Sequence, residues 1–228
     1  MIKEKIGSLA SLLLKSHAVE QGVVPKAFIR QFLPRNPVMI EAGAHIGNDT
    51  KELSRLWPEG FVYAFEPIPE LFEQLLHKTR ALRNVKCYPM ALSDTCGTAS
   101  MFVSDGRSDA SSSMLQPRDH LVDHPDVNFR RSIEVKTTTI DSWATDNKVE
   151  KVDFLWLDLQ GYELPVVKAS PSILRTVTTI YTEVCLKEVY AEVALYPKVR
   201  QWLQDQGFDV VREELPWHDG GNVLFTRR

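Results

Sequence analysis

Cysteine is scarce in this chain, which has three among its 228 residues. Cys87, Cys96 and Cys185 are odd in number and widely spaced, and no C-x-x-C pair occurs among them. A disulfide framework and a cysteine-ligated zinc site are therefore not expected. Such thiols usually pack as small hydrophobic side chains. We accordingly expect a reducing compartment, the cytoplasm, as the location.

The chain also lacks an excess of basic residues and a long apolar run. It has 27 lysines and arginines against 30 acidic residues, which gives a formal net charge of -3. A protein that follows nucleic-acid phosphates normally shows a basic excess or a basic stripe, so no nucleic-acid partner is expected. No run of about 20 apolar residues is present, so no membrane span is expected.

Residues 1–35 are expected to form a helical extension or cap. Apolar residues recur there at helical spacing, namely Ile2, Ile6, Leu9 and Leu13. The apolar stretch is too short and too broken for a signal peptide. We predict an amphipathic helix that packs on the domain or lines the mouth of a site. Whether it also forms a homodimer stays open.

Strand-like and helix-like segments alternate through residues 36–228. The strand patterns "VMIEAG" and "FVYAFEP" are each followed by a helical pattern, and "NVKCYPMALSD" predicts a third strand. Near the C-terminus, "FDVVREEL" and "NVLFTRR" are joined by a short polar turn. The alternation predicts a mainly parallel α/β sheet with helices on both faces. The short final connection predicts one antiparallel strand.

A polar insertion interrupts this alternation at about residues 104–130. It is rich in Ser, Asp, His and Pro and shows little regularity. Long loops in compact domains are often functional. One interpretation is a lid over a substrate, in which Ser112 and Ser113 offer their hydroxyls. The other is a flexible loop and no more.

Two glycines follow the first predicted strand in the pattern E-x-G-x-x-x-G, formed by Glu41, Gly43 and Gly47. This is not the G-x-G-x-x-G pattern that holds a diphosphate at a helix N-terminus. Gly43 lets a ligand approach the backbone, and N–H groups at the start of the next helix can bind a carboxylate. Glu41 can hold an amine directly or through water. The alternative is an ordinary tight strand–helix turn.

Glu66 ends the second predicted strand, where an acid binds the ribose hydroxyls in dinucleotide folds. Taken alone, it has the alternative of an ordinary surface acid. At the ends of adjacent strands, however, Glu41 and Glu66 together favour a nucleoside that carries an amino acid and no phosphates. S-adenosylmethionine has this composition.

Five segments in order resemble the FkbM-like family of S-adenosylmethionine-dependent methyltransferases. They are "IEAGAHIGNDT", "AFEPIPELFEQL", "MALSD…G", "SSSML" and "DFLWLDLQGYEL", and the resemblance runs from about Val38 to Phe225. It implies a Rossmann-like class I methyltransferase fold with seven strands. It also implies, most often, O-methylation of a natural-product hydroxyl or of a sugar in a glycan, lipopolysaccharide or exopolysaccharide. Many relatives have a lysine where this chain has Trp156, so no role of that lysine is transferred.

The resemblance further implies a set of cofactor-binding residues. The glycine turn would surround the methionine moiety, Glu66 and Pro67 would hold the ribose, and Ala91 with Leu92 would lie at the adenine edge. The full set is Glu41, Gly43, Ala44, His45, Gly47, Asn48, Glu66, Pro67, Ala91, Leu92 and Asp158.

Methyl transfer to a hydroxyl requires alignment and a base, because the sulfonium donor is already activated. Asp158 and Glu183 are the candidate catalytic residues, since they follow strands expected to be neighbours at the ligand-binding edge of the sheet. They could act as base and orienting group. A divalent cation between them is possible in principle but not favoured, and no metal ligands are assigned. Candidates for substrate contacts are Ser112, Ser113, Gln160, Glu163 and His218.

Three functions stay open at this point. The favoured one is a methyltransferase that uses S-adenosylmethionine and a small-molecule or glycan acceptor. A nicotinamide-dependent oxidoreductase is the second, but it needs a diphosphate-binding turn that the glycine spacing does not supply. The third is a catalytically inactive methyltransferase-like interaction module, which the missing lysine leaves open.

Overall fold

The computed structural model describes residues 23–228 and contains ten strands in that range. They are β1 (Val38–Ala42), β2 (Phe61–Phe65), β3 (Val85–Tyr88), β4 (Ala91–Leu92), β5 (Gly97–Gly106), β6 (Val127–Thr138), β7 (Phe154–Leu157), β8 (Thr179–Cys185), β9 (Phe208–Glu214) and β10 (Gly220–Arg227). Seven of them form one sheet in the order β3-β2-β1-β7-β8-β10-β9. Its pairs are parallel except those of β10, which is antiparallel to β8 and β9. The predicted sheet is confirmed.

The helices within the described range are mostly the crossovers between these strands. They are α1 (Lys26–Ile29), α2 (Asn48–Leu56), α3 (Pro69–Thr79), α4 (His120–Asp123), α5 (Ile140–Asn147), α6 (Glu163–Lys168), α7 (Pro171–Leu174) and α8 (Tyr196–Asp205), with a 3-10 turn at Arg30–Phe32. Their ends follow local chemistry. The Thr139 side chain accepts a hydrogen bond from the Ser142 N–H at the start of α5, and Gly207 follows α8 with a φ of 86°.

The two faces of the sheet bury separate cores, because successive strand residues point to opposite sides. On one face, Ile40 and Leu155 pack with residues from α5 to α8. On the other, Met39 and Trp156 pack with residues of α1 and α2. Helices therefore cover both faces, as predicted. Trp156, at the position of the missing lysine, is a core residue.

A second, three-stranded sheet in the order β4-β6-β5 was not predicted. "NVKCYPMALSD" was expected to be one strand, which is wrong: β3 ends at Tyr88, and Ala91–Leu92 pair with β6. Pro89 lies between the two strands and lacks the N–H that a continuous ladder needs. The break turns the chain from the large sheet to the small one.

The polar insertion is more regular than expected. The ends of β5 and β6 extend into residues 104–130, and α4 lies between them. Within it, Ser113 pairs with Phe102 of β5, and Pro117 pairs with Tyr190, which follows β8. It therefore lies close to the loop that follows β8.

The predicted amphipathic helix and its homodimer contact fall in residues 1–22, outside the described part of the chain. Just after it, Val24 and Ile29 are fully buried against the sheet. None of the helices within residues 23–228 is both long and apolar enough to cross a membrane.

Candidate active site

The glycine turn brings the end of β1 against the segment that follows β7. Gly43 has a φ of 83°, and a Cβ atom built there would lie 1.9 Å from the carbonyl oxygen of Asp158. The Gly43 and Ala44 N–H groups donate to the carbonyl oxygen of Phe65 at the end of β2. Only glycine allows this approach of three strand ends.

Replacing Gly43 with alanine is expected to destabilise the fold strongly. A non-glycine residue in left-handed backbone costs about 1–2 kcal/mol, and forcing a side chain into packed atoms adds about 1–3 kcal/mol. Gly207→Ala is the matched control, because Gly207 has a φ of 86° but the nearest atom to its Cβ position lies 3.7 Å away. Thermal unfolding should show a clearly larger loss of Tm for Gly43→Ala. Equal losses would contradict the close approach.

A first cavity of about 210 Å³ opens at the ends of β1, β2 and β7. It is lined by most of the predicted cofactor residues: Gly43, Ala44, His45, Asn48, Glu66, Pro67, Ala91, Leu92 and Asp158. Glu41 and Gly47 do not line this cavity. A Cβ atom at Gly47 would lie 2.6 Å from Leu75 Cδ1, so this glycine allows close packing of the turn on α3.

Glu66 lies on the wall of the first cavity with its carboxylate held by the backbone. Its Oε2 accepts from the His45 N–H and its Oε1 from the Ile68 N–H, both at 2.9 Å. The residue is 4% exposed, and burial raises its pKa to about 7 against the opposing effect of these two bonds. Each oxygen keeps lone-pair capacity for a hydroxyl donor from a ligand. Glu66 is thus oriented before any ligand arrives.

Glu41 lies beneath the first cavity rather than on its wall. It shares the strand face of Met39, which points into the core under α2, and it is 1% exposed. Its Oε2 has no hydrogen-bond partner within the described residues. Burial raises the pKa of Glu41 to about 8, so the group is a neutral acid at physiological pH.

Glu41→Gln is expected to gain stability relative to the wild type as the pH rises. Since the folded-state pKa lies above the ordinary value, the folded protein holds a proton that the unfolded chain has released. The wild type therefore loses stability from about pH 5 to about pH 8. Each unit of pKa difference is worth about 1.4 kcal/mol, so the relative gain in Tm should reach several degrees. A pH-independent difference in Tm between the two proteins would contradict the burial of a protonated acid.

The insertion is tied to the glycine turn by a side-chain pair. His45 Nε2 lies 2.9 Å from Asp109 Oδ1, and Asp109 also lines the first cavity. His45 has a φ of 50°, which is uncommon for a residue other than glycine and is typical of functional sites. The pair positions the insertion over the cavity.

A second cavity of about 740 Å³ adjoins the first. It lies between the insertion, the ends of β7 and β8, and the turn that precedes β10. The residues that line both cavities are Ala110, Asp158 and Gln160. The boundary between the cavities is therefore formed by the segment after β7 and the tip of the insertion.

Gln160 joins the two candidate catalytic carboxylates at this boundary. Its Nε2 donates to Asp158 Oδ1 at 2.8 Å and to Glu183 Oε2 at 2.5 Å. Its Oε1 accepts from the hydroxyl of Tyr190 at 2.9 Å, and its backbone is left-handed, with a φ of 51°. The neighbouring strands β7 and β8 thus bring Asp158 and Glu183 together, as the sequence indicated.

The two carboxylates have raised pKa values. Asp158 is open to both cavities, yet the surrounding protein desolvates it and raises its pKa. Burial, then the charge of Asp158, then that of Glu163 raise the pKa of Glu183 well above its usual range. Two coupled acids in such surroundings share a proton and titrate as a pair.

The predicted substrate contacts separate into two groups. Ser112 lines the first cavity and Gln160 lines both. Ser113, Glu163 and His218 line neither cavity. The Ser113 hydroxyl donates to the backbone carbonyl of Gln160, and Glu163 is buried and accepts from two N–H groups of the turn before α6. His218 is exposed and pairs with a carboxylate of the insertion.

Sequence reasoning missed several residues of the two cavities. Tyr190, which holds Gln160, follows β8 in an irregular loop where no local pattern indicates its position. Asp109 lies in a segment that was singled out only for its serines. Met101 and Met114 line the first cavity from the unpredicted small sheet and the insertion. Only the pairing of distant segments places these side chains.

The profile of the methyltransferase FkbM domain family matches residues 41–210, which is most of the chain. The chain belongs to this family. The 2-O-methyltransferase NoeI of Sinorhizobium fredii is 30% identical over 160 residues, which cover 68% of this chain and 66% of that protein, just under two thirds of its length. Methyltransferase sdnD of Sordaria araneosa is 25% identical over 222 residues, which cover 86% of this chain and 83% of that protein.

Solved structures show the same fold as this FkbM-family chain. Fibrillarin from Aeropyrum pernix, in complex with natively bound S-adenosyl-L-methionine, matches with a TM-score of 0.51 and 17% identity over 96% of this chain and 74% of its own length. An rRNA methylase from Streptococcus thermophilus matches with a TM-score of 0.50 and 12% identity over 92% of this chain and 99% of its own length. At such identities the likeness concerns the fold alone. The predicted class I methyltransferase fold is confirmed.

Proposed function

We propose that this FkbM-family protein is an S-adenosylmethionine-dependent O-methyltransferase that acts on a hydroxyl of a sugar or of another polyhydroxylated natural product. The observation that carries the proposal is the carboxyl pair of Asp158 and Glu183 at the boundary of two adjoining cavities. A methyl donor on one side and an acceptor on the other would meet beside this pair. The cytoplasm is the proposed location.

The first cavity fits S-adenosylmethionine by the chemistry of its walls. The fixed carboxylate of Glu66 suits a ribose diol, and the turn at Gly43 leaves room for a ligand against the backbone. The N-terminus of α2 favours a carboxylate, and the nearby charge of Asp49 is balanced by Lys26 Nζ at 2.5 Å. Apolar side chains that suit an adenine ring complete the lining, among them Ile68, Leu92, Met101 and Met114.

The residues at the boundary would prepare the acceptor hydroxyl. When bound, S-adenosylmethionine supplies an electrophilic methyl group. The carboxylate of Asp158 accepts the proton of the hydroxyl, and burial, which raises the pKa of Asp158, makes it a better base than an ordinary aspartate. Gln160, held by Tyr190, fixes the orientation of both acids. The pair then releases the proton to solvent through the second cavity.

Oxygen as the acceptor atom is supported by the base at the boundary and by the relative named as a 2-O-methyltransferase. A hydroxyl-rich acceptor is supported by the second cavity, which offers carboxylates together with Tyr190 and the 42% exposed Trp217. Family membership supports a methyltransferase over a nicotinamide-dependent oxidoreductase.

Titration calorimetry with S-adenosylhomocysteine, followed by transfer of labelled methyl groups to pooled host glycans and natural products, tests the proposal. We expect binding and a labelled O-methyl ether that mass spectrometry can identify. A folded protein that does not bind S-adenosylhomocysteine contradicts the cofactor. Binding without transfer to any hydroxyl acceptor favours the inactive interaction module instead.

A further inference from the structure

The second cavity is strongly acidic. Its lining includes five carboxylates, those of Asp123, Asp126, Asp158, Glu183 and Asp219, against one arginine, Arg107. Lys187 pairs with Asp123 from outside the lining, and His124 Nε2 lies 2.7 Å from Asp219 Oδ2. Even with one proton shared by the catalytic pair, the negative charges exceed the positive ones. An anionic acceptor would have to enter against this field.

Glu183 lies in this cavity, and no lysine, arginine or histidine of residues 23–228 forms an ion pair with it. Burial raises its pKa first, and the charged groups that raise it further are all acids, Asp158, Glu163 and Asp219. Its carboxyl group is hydrogen-bonded to the neutral amide of Gln160 and to the acid Asp158. Tyr190, which also lines the cavity, has a pKa raised by burial and then by these carboxylates. Buried acids are normally paired with a cation, so a ligand can supply what the chain does not.

His120 gives a second and independent indication of a ligand. It lines the same cavity and is 6% exposed, and its Nδ1 has no hydrogen-bond partner within residues 23–228. Burial lowers the pKa of His120, so the ring is neutral at physiological pH and one of its nitrogens can accept a hydrogen bond. A buried polar atom without a partner is costly, and a donor group on a ligand would satisfy it.

Aromatic faces accompany the acids. Trp217 is 42% exposed at the second cavity, and the Tyr190 ring centroid lies 5.4 Å from that of His120. Indole and phenol faces attract organic cations as well as the apolar faces of sugar rings. Carboxylates, a neutral imidazole and aromatic rings together are the chemistry that recognises an ammonium group on a polyol.

We infer that the acceptor is a polyhydroxylated amine of the amino-sugar class, whose ammonium group binds among Glu183, Asp219 and His120 while a neighbouring hydroxyl is methylated. The inference rests on the proposed function and narrows it. Uronic acids and phosphorylated sugars are excluded as good acceptors, because their charge is of the wrong sign.

A divalent cation is the competing way to neutralise the acids. Asp123, His218 and Asp219 offer ligand atoms within 4.8 Å of one another. Lys187 Nζ, however, already lies 3.3 and 3.2 Å from the two carboxylate oxygens of Asp123. A bound metal ion would have to displace that ammonium group, so an organic cation is favoured.

The test is titration of the full-length protein, saturated with S-adenosylhomocysteine, with three oligosaccharides: one of glucosamine, the same one after N-acetylation, and one of glucuronic acid. We expect the free amine to bind about tenfold or more tightly than the N-acetylated form, with no binding of the acid. Asp219→Asn should reduce this preference several-fold. Asp209→Asn, which changes an exposed acid at the start of β9, should not.

Equal binding of the amine and its N-acetylated form, preference for the acid, or no binding of the amine at millimolar concentration would each overturn the inference. A preference for the free amine that appears only after Mg²⁺ is added would also overturn the inference. If Asp219→Asn lowers Tm, Asp126→Asn serves as the second variant, because Asp126 is an exposed residue of the insertion. Failure to bind S-adenosylhomocysteine in the same experiment would count against the proposed function, whereas charge-independent binding would count against this inference alone.

Discussion

Replacing Asp158 with asparagine is expected to lower kcat by about two to four orders of magnitude, the usual contribution of a positioned general base. Asparagine keeps the size of the side chain and can still accept from Gln160, but it cannot take a proton from the acceptor. Binding of S-adenosylhomocysteine should change much less than the rate. Single-turnover methyl transfer and titration calorimetry measure the two effects separately.

Glu163→Gln is the matched control for this prediction. Glu163 is also a buried acid near the boundary, and its pKa is raised to about 7, chiefly by burial. It lines neither cavity, and both of its backbone bonds go to Oε1, which glutamine retains. The methyl-transfer rate of the Glu163→Gln variant should stay within a few-fold of the wild-type rate. If both variants lose the same activity, Asp158 is not acting as the base.

Glu66→Ala is expected to weaken S-adenosylhomocysteine binding by about 100-fold or more, because two hydrogen bonds to a charged group are each worth about 1.5–3 kcal/mol. The loss should fall on the cofactor and leave acceptor binding unchanged. Glu66→Gln should lie between the alanine variant and the wild type, since the amide offers one acceptor oxygen to the ribose. Calorimetric titration with S-adenosylhomocysteine measures all three proteins.

Glu70→Gln is the control for this second prediction. Glu70 lies on α3 near Glu66 but is exposed and pairs with Arg131 on the surface. Its substitution should leave cofactor binding unchanged. Circular dichroism of Glu66→Ala must show a folded protein, because the carboxylate also holds two backbone N–H groups. A folded variant that binds as tightly as the wild type would remove Glu66 from the site.

Local patterns were enough for the large sheet. Alternating strand and helix segments, the proline and glycine positions and the short last connection each reflect chemistry within a few residues. The small sheet could not be found this way, because β4 and β6 are far apart in the chain and β4 is two residues long. Pro89 could have been recognised as a break in the third strand.

The first cavity was predictable where the backbone itself forms the site. Gly43 and Glu66 stand at strand ends, and parallel strands bring such ends to one edge. Strand alternation places Glu41 on the same face as Met39, toward the core, so its position beneath the first cavity could have been predicted as well. The contacts of Asp109, Gln160 and Tyr190 depend on how the insertion packs against the loop after β8. No local sequence pattern predicts that packing.

The central claim is that a nucleoside methyl donor binds across the ends of β1 and β2 with its ribose on Glu66. A crystal structure of the protein with S-adenosylhomocysteine tests it most directly. We predict density in the first cavity, with the ribose hydroxyls at the Glu66 carboxylate and the sulfur facing the boundary at Asp158 and Gln160. Density in another part of the protein, or a ribose that makes no contact with Glu66, would contradict the account.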